Sequence, residues 1–287
     1  MENNNNNDNN NITLSDEEKN FYSRQILLSE MSDETQIKLK SSKVIIIGAG
    51  GLGSPCIMYL AGAGIGTIGI VDSDKVEEIN LPRQIIHSTK NVGKNKALSA
   101  KEYVNNLNPY IKVNIYELYI TNKNGIDICK DYDVIIDCCD NPITKYILND
   151  ISVLLNKPYI SGGTVRWDGQ MSLYCTDLNK NKLPCYRCLN PKPPLKENIK
   201  KCKDVGVIGT LPGIIGTFQA NECIKLICGF NDKLLKKKML IVDGLDMRIK
   251  VVNTRGERDE CEICGKKKLI NVENFKNYNY ENFMINK

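Results

Sequence analysis

The chain has a single Trp and no ladder of alternating basic and aromatic residues, so it lacks the stacking platform on which nucleic-acid strands are held. No stretch approaches the roughly 20 uninterrupted apolar residues of a membrane-spanning helix. Met1-Glu2 and the asparagines after it lack the basic start and apolar centre of a secretory signal. The expectation is therefore a cytoplasmic protein in a reducing compartment, with neither nucleic acid nor membrane as partner. What remains is ordinary for a globular protein: 287 residues, 41% hydrophobic and 25% charged, with a net charge of +5. Much of the excess charge sits in runs such as Lys236-Lys237-Lys238 and Lys266-Lys267-Lys268, which read as solvated faces.

Residues 1–13 are an asparagine-rich tail with little to bury. Residues 14–265 read as one α/β domain, with a nucleotide-binding half to about 160 and a second half after it; 266–287 read as a short tail. Ser15 and Glu18 have the spacing of a helix capping box. Lys43–Ile47, Thr67–Val71, 111–115 and 133–136 read as strands, and Pro55–Ala61 and Asn95–Leu107 as helices between them. This alternation predicts a doubly wound, Rossmann-like, mostly parallel sheet. Farther on, Gln170–Tyr174 and Met239–Val242 suggest strands of a mixed portion, 183–204 a long loop, and Ile214–Ile227 a helix.

Gly48-Ala49-Gly50-Gly51-Leu52-Gly53 is G-x-G-x-x-G between a strand and a helix. Glycines there let backbone amides approach phosphates at a helix N-terminus. Asp72, at the end of the second strand, suits ribose hydroxyls, and the glycine pattern alone fits NAD as well as ATP. Asp140-Asn141 follows another strand, so Asp72 and Asp140 are expected to share the crevice at the sheet's carboxyl edge. A second carboxylate suits magnesium, while Arg83 and Lys96 supply charge for phosphate oxygens. The set favours ATP chemistry. His87, the only histidine, is read as a packing or surface residue.

Four of the twelve cysteines form Cys185-x-x-Cys188 and Cys261-x-x-Cys264. Together they can make a tetrahedral thiolate zinc site; a redox-active pair is the competing reading. A redox pair usually opens a helix, which Pro184 before one pair and Gly265 after the other argue against. Cys202 lies among Lys200, Lys201 and Lys203, which would favour its thiolate, or it is a loop cysteine without a duty. Cys56, Cys129, Cys138, Cys175, Cys223 and Cys228 read as small core residues.

Tyr22-Ser23-Arg24-Gln25-Ile26, the glycine turn, Asn80-Leu81-Pro82-Arg83-Gln84, Asp137-Cys138-Cys139-Asp140-Asn141 and Cys185-Tyr186-Arg187-Cys188 occur in this order. In them the chain resembles the ThiF/MoeB/HesA family of ubiquitin-activating-like adenylyltransferases, over about Phe21 to Cys264. The resemblance implies ATP-dependent adenylylation of the C-terminal glycine of a small ubiquitin-like sulfur carrier ending in Gly-Gly, for molybdopterin, thiamine or tRNA-thiolation pathways. It implies that Gly48, Gly50, Gly51, Gly53 and Asp72 hold the nucleotide, with Asn80, Arg83, Gln84 and Asn141 around it. Lys96 would reach the outer phosphates, Asp140 would bind Mg²⁺, and Arg24 would be donated across a homodimer. The four paired cysteines would hold structural Zn²⁺, and Cys202 would take the place of a cysteine that some relatives use covalently. Pro82 and Cys139 depart from residues usually polar in these motifs.

The alternatives are a modifier-activating enzyme forming a thioester on Cys202, an NAD-dependent oxidoreductase, and a non-catalytic partner subunit. The last would be expected to lack the cationic and Mg²⁺ positions, all of which are present. The chain ends without Gly-Gly and leaves no room for a sulfur-donating domain after Cys264, so a separate sulfurtransferase or cysteine desulfurase is the expected sulfur source.

Overall fold

A computed structural model describes residues 12–174, 183–194 and 205–285. Cys175, Cys202 and nearly all of the asparagine-rich tail lie outside the described residues. Ser15 and Glu18 cap α1 (Asp16–Phe21) reciprocally; α2 (Ser23–Ile26) and α3 (Asp33–Ser41) follow. Then strands and helices alternate as β1 (Lys43–Ile47), α4 (Gly53–Ala63), β2 (Thr67–Val71), α5 (Lys96–Leu107), β3 (Lys112–Tyr116), α6 (Gly125–Cys129), β4 (Val134–Asp137), α7 (Pro142–Leu155) and β5 (Tyr159–Val165). The rest is β6 (Asp168–Tyr174), α8 (Tyr186–Leu189), α9 (Thr210–Cys228), β7 (Lys238–Asp243), β8 (Arg248–Asn253), α10 (Val272–Phe275) and α11 (Tyr280–Ile285).

The eight described strands form one sheet in the order β3-β2-β1-β4-β5-β6-β7-β8. From β3 through β5 every pairing is parallel; β6, β7 and β8 are antiparallel. The expected α/β sheet with a mixed C-terminal portion is what forms. Helix follows strand on both faces because β1 is apolar on both. Val44 and Ile46 pack with α4, α5 and α9, whereas Ile45 and Ile47 pack with α7 and the C-terminal residues. That two-residue alternation is the pleat itself.

Several elements differ from the reading of the sequence. β5 carries a Gly162-Gly163 pair, which weakens the strand signal. β8 is an edge strand whose six residues are all exposed, so it has no buried face to announce it. One short helix, α8, stands inside the expected loop. Residues 266–285, read as a short tail, carry α10 and α11, whose Phe275, Tyr280 and Phe283 are buried in the second core layer. Among the described residues no helix is long and apolar enough to cross a membrane.

The close approach of α9 to α4 positions the site. A Cβ on Gly216 would stand 2.1 Å from the Leu52 carbonyl oxygen and 2.7 Å from Pro55 Cγ, while one on Gly213 meets nothing within 4 Å. We therefore predict that Gly216→Ala costs about 1–3 kcal/mol through overpacking. Gly213→Ala, on the same helix, should stabilise by roughly 0.5–1 kcal/mol. Urea denaturation of the two variants checks the pair; equal midpoints would contradict the close-contact argument.

Candidate functional site

The strand order reverses between β1 and β4, and a cleft opens there at the carboxyl edge of the sheet, as expected of a doubly wound fold. Gly48, Gly50, Gly51, Asp72, Arg83, Gln84, Lys96 and Asp140 all line it. The turn is made by steric need. Gly48 adopts φ +102°, and a Cβ on Gly53 would fall 1.9 Å from the Gly48 carbonyl oxygen. Gly53 therefore starts α4 and shapes the turn without lining the cleft.

Asp72 fixes the turn's register. Its Oδ2 accepts the Ala49 amide at 2.8 Å and its Oδ1 the Asp74 amide at 2.9 Å. Burial raises the Asp72 pKa above the ordinary carboxylate value, opposed by the Lys96 charge and those two amides. The buried Lys96 places its Nζ 2.9 Å from Asp74 Oδ2. Burial alone would raise the Asp74 pKa, but its hydrogen bond and ion pair with Lys96 outweigh that and hold it low. Asp74 also lines the cleft; two residues beyond Asp72, it escaped the sequence reading because no periodicity marks a loop carboxylate.

Arg83 is held by its own loop, donating to Asn80 Oδ1 at 2.7 Å and to the Ile79 carbonyl at 3.2 Å. Asn80 thus acts on the cleft through Arg83. Gln84 is buried and lines the cleft, yet its Oε1 has no hydrogen-bond partner among the described residues. A buried acceptor left open beside a cleft is what a ligand donor satisfies. Among the described residues Asp140, exposed at the rim, makes neither an ion pair nor a hydrogen bond, so its carboxylate is available to a hard cation. Asn141 caps α7 by accepting from the Ile143 amide, a structural duty rather than a cleft position.

Arg24 is not brought to this cleft. It is exposed on α2, whose Gln25 donates to the Ala63 carbonyl at the far end of α4. Eleven helical residues separate that end from the glycine turn, about 16 Å. His87 is buried and bonded to the Ala49 carbonyl and to Ser99; of its two sequence readings, packing rather than surface holds.

Next to Asp140 lies an ion pair that the sequence did not reveal. Asp137 ends β4 fully buried, and its Oδ2 accepts from Lys145 Nζ at 2.7 Å, Tyr159 at 2.8 Å and Ser161 at 2.7 Å. Lys145 also donates to the Gly162 carbonyl at 2.7 Å, tying β4 to β5.

The four paired cysteines converge on the other face. Their Sγ atoms lie 3.8 Å apart for Cys185 and Cys188, 3.5 Å for Cys185 and Cys261, 3.4 Å for Cys188 and Cys264, and 3.5 Å for Cys264 and Cys185. Disulfide sulfurs would be about 2.05 Å apart. A tetrahedral ion with Zn–S bonds of about 2.3 Å needs edges of about 3.8 Å. The buried set therefore fits a closed four-thiolate metal site. One sequence argument is corrected: Cys185 does open a helix, as N-cap of α8, so it is the convergence of four sulfurs that argues against an isolated redox pair. Between the first two cysteines, Arg187 forms a bidentate pair with Asp150 at 2.8 and 2.7 Å and lies 4.4 Å from the Phe283 ring centroid. Tyr280 donates to the same Asp150 at 2.6 Å. The C-terminal residues thereby close over the cysteine cluster.

With this geometry in place, comparison with known proteins decides the family. The ThiF family matches residues 22–263. The chain belongs to the ThiF family. It is 44% identical over 258 residues to an adenylyltransferase and sulfurtransferase MOCS3 of Culex quinquefasciatus, and 42% identical over 272 residues to that of Dictyostelium discoideum. Those alignments cover 88% and 93% of this chain but 58% and 63% of the relatives, so the chain spans about three fifths of their length. Among solved structures, E. coli MccB with ATP superposes with a TM-score of 0.73 at 28% identity, covering 86% of this chain and 74% of MccB. MccB with MccA-N7isoASN gives 0.75 at 28% identity, covering 86% and 75%.

The Asp137–Lys145 pair gives a direct stability test. Lys145→Met leaves a buried carboxylate uncompensated and should cost about 3–5 kcal/mol. Asp137→Asn combined with Lys145→Met should recover most of that loss in urea denaturation. A double variant as unstable as the single would show that charge burial is not the cause.

Proposed function

We propose that the chain adenylylates the C-terminal glycine of a small ubiquitin-like sulfur-carrier protein, using ATP and Mg²⁺, in the cytoplasm. The observation that carries this reading is the gathering of two cations, Arg83 and Lys96, with Asp72 and Asp140 around one glycine turn. An NAD site needs no such set. The MOCS3 relatives named adenylyltransferase, and the ATP-bound MccB, support it. The cleft shares Gly163 and Thr164 with an open groove that runs past Gly169 to Ile241. That groove offers an extended glycyl tail a route to the nucleotide, and glycines are the residues narrow enough to use it.

In the reaction, a tail carboxylate oxygen bonds to the α-phosphorus of ATP, the α–β bridging bond breaks, and pyrophosphate leaves with the electron pair. The nucleophile is already ionised, so no general base is required. The obstacle is repulsion between carboxylate and triphosphate. Arg83 and Lys96 offset it and stabilise charge on the departing pyrophosphate. Bound at Asp140, Mg²⁺ would supply further charge neutralisation. Asp72 would hold the ribose, its burial making each hydrogen bond stronger than in water.

Arg24 is proposed to act in a homodimer, entering the partner's cleft. Its place at the far end of α4, beside Leu27 and Leu28, which are 75% and 56% exposed, supports donation across an interface. The cysteine cluster is proposed to hold structural Zn²⁺, with no open position for chemistry. A separate sulfurtransferase or cysteine desulfurase would act on the adenylylated carrier.

Two measurements test this reading. Carrier-dependent exchange of labelled pyrophosphate into ATP is expected in wild type, with loss of at least about 100-fold in Asp140→Ala, an effect typical of removing one electrostatic stabiliser. Arg24→Ala should be inactive alone and regain activity when mixed with Lys96→Ala. Exchange with no carrier at all would refute the assignment. Metal analysis should give one zinc per chain, and none in Cys261→Ser/Cys264→Ser; an unchanged zinc content there would place the ion elsewhere.

A further inference from the structure

Three separate elements supply the nucleotide site: the glycine turn, the loop of Asn80, Arg83 and Gln84, and α5 with Lys96 at its start. The turn and α5 are joined through Asp72 and Asp74, since Asp72 accepts from the Ala49 and Asp74 amides and Asp74 pairs with Lys96. Among the described residues, however, the cleft-facing side chains of the Arg83 loop bond to neither. Asp72 holds the turn, Asp74 holds Lys96, and Arg83 is held by Asn80 of its own loop. All three elements, the Arg83 loop included, meet at His87. It ends the Arg83 loop, three residues past Gln84, and its own amide donates to the Gln84 carbonyl at 3.1 Å. Its Nε2 lies 2.9 Å from the Ala49 carbonyl in the turn, and its Nδ1 lies 2.8 Å from Ser99 Oγ, one helical turn beyond Lys96.

The chemistry of the partners fixes the tautomer. A backbone carbonyl can only accept, so Nε2 carries the proton. Nδ1 is then bare and accepts from the Ser99 hydroxyl. Burial, reinforced by the Lys96 charge, lowers the His87 pKa against the opposing pull of the Ala49 carbonyl, which keeps the ring neutral. Both ring nitrogens are satisfied in a buried position, where a broken bond costs more than a surface one.

We propose that His87 is a positioning residue of the nucleotide site, a single imidazole that locks the Arg83 loop, the glycine turn and the Lys96 helix into one register. It touches no substrate. Its contribution is preorganisation: amides, guanidinium and ammonium already stand where phosphates will bind, so ATP need not order them. The inference rests on the nucleotide reading of the cleft.

Because His87 is the only histidine in the sequence, long-range ¹H–¹⁵N correlation of the ¹⁵N-labelled full chain, freed of any histidine tag, reports this ring alone. We expect one signal set with a protonated Nε2 and a bare Nδ1 at pH 7.5. An Nδ1-protonated ring, or fast averaging of the two tautomers, would overturn the bridge. Mg–ATP titration then tests its purpose. His87→Phe should weaken Mg–ATP binding about tenfold, equivalent to about 1.4 kcal/mol. His87→Gln, which keeps a donor for Ala49, should lose less and serves if the Phe variant does not fold. Adding Ser99→Ala to His87→Phe should cause no further loss, since the bridge is already gone. Unchanged affinity in the histidine variants, or additive losses in the double variant, would overturn the proposal. Should wild type itself take up no Mg–ATP, the nucleotide reading fails, and the spectrum alone decides whether the bridge exists.

Discussion

The site depends on how closely the backbone at Gly53 passes the carbonyl of Gly48. With only 1.9 Å between that oxygen and any Cβ at Gly53, no other residue lets α4 begin directly after β1. The turn then lines the cleft at the carboxyl edge of the sheet, and Asp72, just past β2, fixes its register through the Ala49 amide. A positive-φ glycine at position 48, a carboxylate one strand away and an α9 packed tightly against α4 are separate features of sequence that serve one contact. The charges of Arg83, Lys96 and Asp140 would be ordinary surface groups if the turn did not bring them around a common space.

The second half of the chain solves a different problem. Its antiparallel strands extend the sheet past β5 and leave an edge, while α8 and the C-terminal helices have too few residues to form a core alone. Four buried thiols and the Arg187–Asp150 pair, enclosed by aromatic rings, hold these pieces together. The pair is sealed by residues beyond Cys264, so the last described segment belongs to the architecture. Zinc, where bound, would join the two cysteine pairs, and the arginine cage would join that junction to α7.

Much of this was legible in the sequence for identifiable reasons. Strands buried on both faces, such as Lys43–Ile47 and Thr67–Val71, read as short β-branched runs, and their ends matched within a residue or so. The glycine turn, Asp72, Arg83, Lys96 and Asp140 could be read together from their residue types and order, and the structure gathers them at one cleft. α7 was missed although Asn141 and Pro142 form a regular start signal. β5 was missed because of its glycine pair, and β8 because it has no buried face. Asp74, Asp137 and Lys145 could not be found from spacing: each matters through a partner that only the fold brings to it, Lys96 for Asp74 and the Asp137–Lys145 pair across the end of β4 and the start of α7. His87 was seen but read as a packing or surface residue without a role at the site, since nothing in the sequence tells that its two nitrogens meet elements 38 and 12 residues away.

The central claim is that this cleft binds a magnesium nucleoside triphosphate. Titration calorimetry of the full chain with ATP in the presence and absence of Mg²⁺, and with NAD, tests it most directly. The account predicts saturable, magnesium-strengthened uptake of one ATP per chain and no heat from NAD. Stoichiometric NAD binding with no response to Mg–ATP would contradict it.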